Sequence, residues 1–138
     1  MFFLAENEGE KKFESIGALK PGHYVLIDGS VCQIKGIEKS KPGKHGSAKA
    51  RITAFDIFSG QKKNLLKPTG ADAEVPIIIK GNAQVVAVMG DNVQIMDLSS
   101  YEMLNLKKPS DIQGLSSGAE VEYVRYGSNV KILHKKGN

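Results

Sequence analysis

The sequence predicts an all-β protein built from two small units. Beyond Pro21-Gly22 the chain consists of short apolar runs separated by turn residues, and no long stretch repeats its apolar residues at helical spacing. A break at Gly81-Asn82 divides these runs into two series. A chain of 138 residues can hold two very small domains, since compact domains extend down to about 50 residues. We therefore place the domain boundary near residue 80.

The first unit is expected to span residues 15–80. Its predicted strands cover residues 23–28, 31–38, 51–58 and 74–80. The first run ends at Asp28-Gly29, a dipeptide that closes tight hairpins because glycine tolerates a positive φ. Pro76 favours an edge strand or a strand start, since proline cannot donate to a ladder. Strand number and length favour an SH3-like or half-barrel topology, with a long polar loop between the second and third strands.

The second unit, residues 81–138, shows the strand count of an OB-fold. Its predicted strands cover residues 83–89, 93–98, 101–106, 120–126 and 129–134, with one short helix or turn near residues 110–115. Five strands with one short helical insert are typical of that fold. Before the first unit, residues 1–14 are predicted to form a mobile polar arm, because acidic residues follow the apolar start at once.

Composition points to a polyanionic partner. The apolar fraction of 41% is sufficient for a buried core, while the net charge of +4 and the pI of about 9.1 favour nucleic acid. Cys32 is the only cysteine, so the chain can form neither an intramolecular disulfide nor a cysteine metal cluster, which suits a cytoplasmic protein. Its apolar neighbours predict a buried, inert thiol.

The sequence gives little support for a membrane span, a signal peptide or a metal site. No apolar run approaches the roughly 20 residues of a membrane span, and the charge order at the start is opposite to that of a signal peptide. His23, His45 and His134 are far apart in sequence and lack companion cysteines. We therefore expect no membrane contact, no metal and no bound cofactor.

The loop at residues 40–47 (SKPGKHGS) is the strongest candidate site. Pro42 restricts the backbone before the tip, while Gly43 and Gly46 permit positive φ and remove bulk around Lys44. Such a loop presents one lysine either to a narrow cleft or to a modifying enzyme. The surrounding candidates for phosphate contacts are Lys39, Lys41, His45, Lys49 and Arg51. On spacing alone, a merely solvated charged turn explains the loop equally well.

The segment 40–51 (SKPGKHGSAKAR) resembles the modification loop of the translation initiation factor 5A family, archaeal type. The resemblance extends to the segments 19–22 (LKPG), 25–29 (VLIDG), 55–60 (FDIFSG) and 84–91 (QVVAVMGD), and so covers roughly residues 17–138. It implies an N-terminal SH3-like domain and a C-terminal OB-fold, in agreement with the two units described above.

The same resemblance implies a role for Lys44. In this family, deoxyhypusine synthase transfers an aminobutyl group from spermidine to the lysine, and hydroxylation converts deoxyhypusine to hypusine. The factor is expected to bind the ribosome beside peptidyl-tRNA, where the modified side chain promotes peptide-bond formation at slow sequences such as proline runs. The factor itself would not be an enzyme. Pro42 and Ser47 follow the archaeal pattern, which leaves the hydroxylation step in doubt.

Three other functional interpretations fit the loop less well, and one alternative remains. Bacterial elongation factor P has a similar loop tip, but it is a longer, three-domain protein. The His45-Gly46 that follows Lys44 also favours the factor 5A family. A phosphate-binding P-loop would need Ser or Thr after Lys44, where this chain has His45. A Schiff-base lysine would need desolvation that this polar loop does not offer. The remaining alternative is a general RNA-binding module without modification, for which Tyr101, Tyr123 and Tyr126 are the aromatic candidates in the second unit.

Overall fold

The computed structural model of the protein describes residues 9–41 and 48–137. These residues form two compact units, the first ending at residue 77 and the second beginning at residue 78. They contain eleven β-strands, one short 3-10 helix and no α-helix. The all-β prediction is therefore confirmed.

The N-terminal unit is the predicted SH3-like domain. Its strands are β1 (Lys11–Ser15), β2 (Tyr24–Ile27), β3 (Ser30–Ser40), β4 (Lys49–Asp56), β5 (Lys62–Pro68) and β6 (Asp72–Pro76), with the 3-10 helix at Ile16–Ala18. Strands β2-β3-β4-β5 form an antiparallel sheet in sequence order, and β1 pairs with β6. The sheet buries alternate residues such as Ala50, Ile52 and Ala54 against Ile16 and Val25, as expected when one face of a strand covers the core.

The β2–β3 hairpin forms as predicted. Ile27 pairs with Ser30, leaving a two-residue loop in which Asp28 and Gly29 have φ values of 51° and 80°. Two successive positive φ values define the tight turn whose twist matches the flanking strands. Local turn chemistry is sufficient to specify this element.

The predicted mobile arm at residues 1–14 is wrong in its last part. Residues 11–14 belong to β1, which pairs with β6 from Lys11 opposite Pro76 to Ser15 opposite Asp72. The partner strand is distant in sequence, so the charged run gave no local sign of this pairing. Residues 1–8 lie outside the described part of the chain.

Strand β5 was not predicted. Its sequence is rich in lysine and contains only two leucines, yet it pairs with β4 from Phe55 opposite Lys62 to Lys49 opposite Pro68. One of those leucines, Leu65, packs against the core while Leu66 remains 54% exposed. Only one face of a strand in an antiparallel sheet must cover the core, so a strand can form with few apolar residues.

The C-terminal unit is the predicted OB-fold domain. Its strands are β7 (Ile79–Met89), β8 (Asn92–Asp97), β9 (Met103–Lys107), β10 (Glu120–Tyr126) and β11 (Asn129–Lys135). They form one antiparallel sheet in the order β11-β10-β7-β8-β9. Its core includes Val85, Ile95, Val121, Tyr123 and Ile132.

The predicted boundary between the two units needs correction. The proposed break at Gly81-Asn82 lies within β7, and the single predicted run at 74–80 is divided between β6 and β7. The short helix or turn predicted near residues 110–115 is a turn, at Ser110-Asp111. Gly114 has a φ of 77° in this region, which a right-handed helix does not contain.

Candidate nucleic-acid interface

The candidate loop joins β3 to β4. The last cross-strand pair of this hairpin is Ser40 with Lys49, so the two ends of the connecting segment lie side by side. Within that segment Pro42, Gly43, Lys44, His45 and Gly46 lie outside the described residues. Their predicted roles, the modification of Lys44 above all, stay predictions.

The described cations of the hairpin lie on both faces of the sheet. Lys39 is opposite Ala50, which is fully buried, whereas Lys49 and Arg51 alternate with Ala50 and are exposed. Neighbouring residues of a strand point to opposite faces. The sequence grouped these cations as one cluster, and the structure separates Lys39 from Lys49 and Arg51.

Lys39 has an intramolecular partner. Its Nζ donates a hydrogen bond to the carbonyl oxygen of Gly17 at 3.2 Å, while its side chain remains exposed. Lys39 therefore helps to tie the hairpin to the 3-10 helix. This contact makes Lys39 a weaker candidate for phosphate binding than its neighbours.

Arg51 and Lys49 have no such partner among the described residues. Arg51 is directly opposite Glu38 and Lys49 is opposite Ser40, but none of the ion pairs formed among the described residues involves either cation. Lys41 is also exposed. Cations that keep their hydration and lack an acidic partner are suited to phosphate contacts.

The hairpin end is braced by backbone hydrogen bonds that sequence reasoning missed. Thr69 N–H donates to the Ala48 carbonyl at 2.9 Å, and the Thr69 carbonyl accepts from Gly17 N–H and Ser15 Oγ, each at 2.9 Å. A Cβ at Gly17 would lie 3.2 Å from the Thr69 oxygen. These contacts join segments distant in sequence, so no local pattern indicated them.

The first unit is more basic than the second. Residues 9–77 contain twelve Lys and Arg against seven Asp and Glu, a net charge of +5, whereas residues 78–138 contain seven against six, a net charge of +1. In the described part of the first unit, Lys11 pairs with Glu74 and Lys12 with Glu14. Both ion pairs involve β1, so neither neutralises the β3–β4 hairpin.

Cys32, His23, His134 and Tyr123 make contacts within the protein, whereas Tyr101 is exposed. Cys32 is fully buried as predicted, and burial raises the pKa of its thiol above the ordinary value, with the Asp56 carboxylate adding to that effect. His23 Nδ1 accepts from Lys20 N–H at 3.3 Å just before β2, and His134 Nε2 lies 3.0 Å from Glu122 Oε1. Tyr123 is 2% exposed and Tyr101 is 70% exposed, so only Tyr101 of these two can receive a ligand.

Within residues 9–41 and 48–137, no group of three or more His, Cys, Asp or Glu side chains is arranged to hold a metal ion. The same residues contain no helix of the length and hydropathy needed to span a membrane.

Comparison of this sequence with known proteins identifies relatives that share one name. The family profile "Translation initiation factor 5A-like, N-terminal" matches residues 11–71. Translation initiation factor 5A of Methanocaldococcus jannaschii is 52% identical over 123 residues, which cover 89% of this chain and 93% of that protein. The factor of the same name from Thermococcus onnurineus is 46% identical over 134 residues, covering 94% and 98%.

Two solved structures extend the likeness to the fold. A structure of eukaryotic translation initiation factor 5A from Methanococcus jannaschii matches with a TM-score of 0.85 and 48% identity, covering 94% of this chain and 98% of the other. A translation initiation factor eIF-5A family protein from Naegleria fowleri matches with a TM-score of 0.74 and 30% identity, covering 92% and 99%.

Proposed function

Since this chain belongs to the translation initiation factor 5A family, as its motifs predicted, and is therefore a translation factor, we propose that it binds the ribosome next to peptidyl-tRNA. There a deoxyhypusine or hypusine side chain at Lys44 promotes peptide-bond formation at slow sequences such as proline runs. The β3–β4 hairpin supports this proposal most directly. It brings together the two ends of the segment containing Lys44, with Lys49 and Arg51 exposed beside it.

The proposed modification requires a second enzyme, deoxyhypusine synthase, and spermidine as the donor of the aminobutyl group. The added group lengthens the lysine arm and supplies a second amine. A longer cation can reach a phosphate or ribose deep in a cleft where the protein backbone does not fit. The protein would act in the cytoplasm, hold no cofactor and catalyse no reaction itself.

The proposed effect on peptide-bond formation is one of orientation. A cationic arm that contacts the acceptor end of peptidyl-tRNA would hold the ester in a reactive geometry, and correct positioning alone can lower a barrier substantially. Such an arm must be directed by a firm base. The bonds from Thr69 to Ala48 and from Gly17 to Thr69 supply that base.

Intact mass spectrometry of the protein purified from its native host tests the modification. We expect a mass above that of the unmodified chain by one aminobutyl group, with or without one further oxygen, and a fragment spectrum that assigns the increase to Lys44. An unmodified Lys44 in that material would refute the modification and leave the general RNA-binding module as the better account.

Ribosome binding tests the role of the arm. We expect Lys44→Ala to weaken the affinity of the native-host protein for ribosomes by at least about tenfold, the effect of losing one charge-assisted contact. Lys44→Arg keeps a positive charge but cannot receive the aminobutyl group, so it should not restore binding. Lys20→Ala, at an exposed lysine of the same unit, is the matched control. Full affinity in Lys44→Ala, with an unchanged melting temperature, would rule the arm out as a principal contact.

A further inference from the structure

One hairpin turn occurs twice in this protein, once in each unit. In the first unit it covers residues 56–61 between β4 and β5, and in the second it covers residues 97–102 between β8 and β9. Asp56 Oδ1 accepts hydrogen bonds from Phe58 and Ser59 N–H at 2.7 and 3.0 Å. Asp97 Oδ1 accepts from Ser99 and Ser100 N–H at 2.7 and 2.8 Å.

The remaining hydrogen bonds of the two turns also correspond. In each turn the N–H of the aspartate donates to the carbonyl oxygen of the residue five positions later, which is Gln61 or Glu102. The carbonyl oxygen of the aspartate accepts from the N–H of the residue four positions later, which is Gly60 or Tyr101. In both turns the serine Oγ accepts from the N–H two residues later, at 3.2 Å. The two segments therefore satisfy the same backbone groups in the same way.

The turns differ at the fifth position, where both backbones have a positive φ. The first turn has Gly60 there, with φ 80°, and the second has Tyr101, with φ 64°. Glycine adopts this conformation without steric cost, whereas a tyrosine is strained in it. The same turn closes with glycine elsewhere in the chain, so the fold does not require an aromatic residue at position 101.

Contacts within the protein do not explain the tyrosine either. Its side chain is 70% exposed, and its hydroxyl has no hydrogen-bond partner among the residues that the structure describes. The backbone beneath it is nevertheless well anchored, because Asp97 is 8% exposed and also accepts a hydrogen bond from Tyr123 at 2.5 Å. An exposed aromatic ring in a strained conformation on a firm turn indicates a binding role.

Two cations are held next to this turn. Arg125 Nη1 lies 3.0 Å from Oε1 of Glu102, the residue after Tyr101. Lys136 Nζ donates to Asn82 Oδ1 at 3.0 Å, and the Asn82 carbonyl accepts from Leu98 N–H within the turn. OB-folds hold single-stranded nucleic acid by stacking its bases on aromatic rings, with cations along the backbone. Because both of these cations already have a partner within the protein, the exposed ring is the main contact that this turn offers.

We propose that Tyr101 is a stacking platform for an unpaired base of single-stranded RNA. The proposal rests on the proposed ribosomal function and extends it, since it adds an RNA contact in the second unit that is separate from Lys44. The hydrogen bonds of the turn fix the backbone from which the ring projects before RNA binds, so that little backbone freedom remains to be lost on binding.

Tyr101→Asn provides the test, because asparagine tolerates a positive φ but removes the ring. We expect its melting temperature to equal or slightly exceed that of the unchanged protein. In a fluorescence-anisotropy titration with an unstructured oligouridine RNA, we expect its Kd to rise by about five- to hundredfold, the usual effect of losing one stacked base. Tyr101→Phe keeps the ring and should keep the affinity.

The control is Phe13→Asn, which removes an exposed aromatic residue of the first unit and should leave the Kd unchanged. The proposal would be overturned by an unchanged Kd in Tyr101→Asn, by an equal loss in Phe13→Asn, or by a clear fall in the melting temperature of Tyr101→Asn. Weaker ribosome binding with unchanged oligouridine binding would also overturn it, in favour of a protein partner.

Recombinant protein without any modification is suitable for this titration. Failure of the stacking proposal therefore leaves the modification of Lys44 untouched, and an unmodified Lys44 leaves the titration interpretable.

Discussion

At the scale of single residues, the Asp97 carboxylate organises the second unit. It is nearly buried, accepts hydrogen bonds from Ser99 and Ser100 N–H, and receives the Tyr123 hydroxyl at 2.5 Å. The Tyr123 hydrogen bond is the largest cause of a pKa for Asp97 below its ordinary value. The pKa of Tyr123 is raised to about 12, mainly by burial and in addition by the same carboxylate.

The sign of the pH dependence follows from these two shifts. A carboxyl whose pKa is lowered by folding contributes stability above its unfolded pKa and loses that contribution as the pH falls through the folded value. A phenol whose pKa is raised from 10.0 to about 12 contributes stability below pH 10, which is lost as the pH rises toward 12. The pair therefore stabilises the protein across the neutral range.

We predict that Tyr123→Phe lowers the free energy of unfolding at neutral pH by about 1–3 kcal/mol, because a buried carboxylate loses a partner. Acid unfolding should begin at a higher pH, and the loss of stability between pH 10 and 12 should diminish. Urea titrations at several pH values measure both effects. Tyr24→Phe, at a half-buried tyrosine of the first unit, should change neither. Identical acid transitions in Tyr123→Phe and the unchanged protein would contradict the assignment.

At the scale of elements, β7 continues through a glycine that the sequence suggests is a break. A Cβ at Gly81 would lie 2.8 Å from Tyr123 Cε1 and 2.9 Å from Asp97 Oδ2. Real Cβ atoms do not approach other atoms so closely, and both neighbours are fixed by their mutual hydrogen bond. The glycine is needed where β7 passes over the Tyr123–Asp97 pair, not because the chain turns there.

We predict that Gly81→Ala destabilises the protein by about 1–3 kcal/mol, since the added methyl group must displace a packed ring. Thermal and urea unfolding measure the change. Gly36→Ala is the matched control, because Gly36 also lies within a strand and a Cβ there would have no atom within 4 Å. Its stability should be unchanged or slightly higher. Equal effects of the two substitutions would show that the close approach is not the cause.

At the scale of the whole molecule, charge is divided unevenly between the two units, with +5 in residues 9–77 and +1 in residues 78–138. Phosphate contacts release counterions, so the salt dependence of RNA binding counts the cations that take part. The exposed pair Lys49 and Arg51 belongs to the more basic unit. We therefore expect the first unit to dominate the salt dependence.

We predict that Lys49→Gln combined with Arg51→Gln reduces the slope of log Kd against log salt for ribosome or RNA binding by about 0.7 for each cation removed. Titrations over a series of salt concentrations provide the slope. Lys107→Gln combined with Lys108→Gln, two exposed lysines of the second unit, should leave it nearly unchanged. An unaltered slope in the first double variant would exclude those side chains as phosphate contacts.

By itself the sequence determined the features that depend on neighbouring residues. Alternation of apolar and polar side chains indicated most strands, Asp28-Gly29 specified its hairpin, and the motif at residues 40–51 identified the family. These features can be predicted because turn geometry and strand periodicity are set by a few consecutive residues.

Only the tertiary structure decided the features that join distant segments. The pairing of β1 with β6 and the hydrogen bond from Gly17 to Thr69 join residues about fifty or more positions apart. The close approach of Gly81 to Tyr123 joins residues about forty positions apart. Local patterns cannot reveal these contacts, because each depends on where another part of the chain lies once the core has formed.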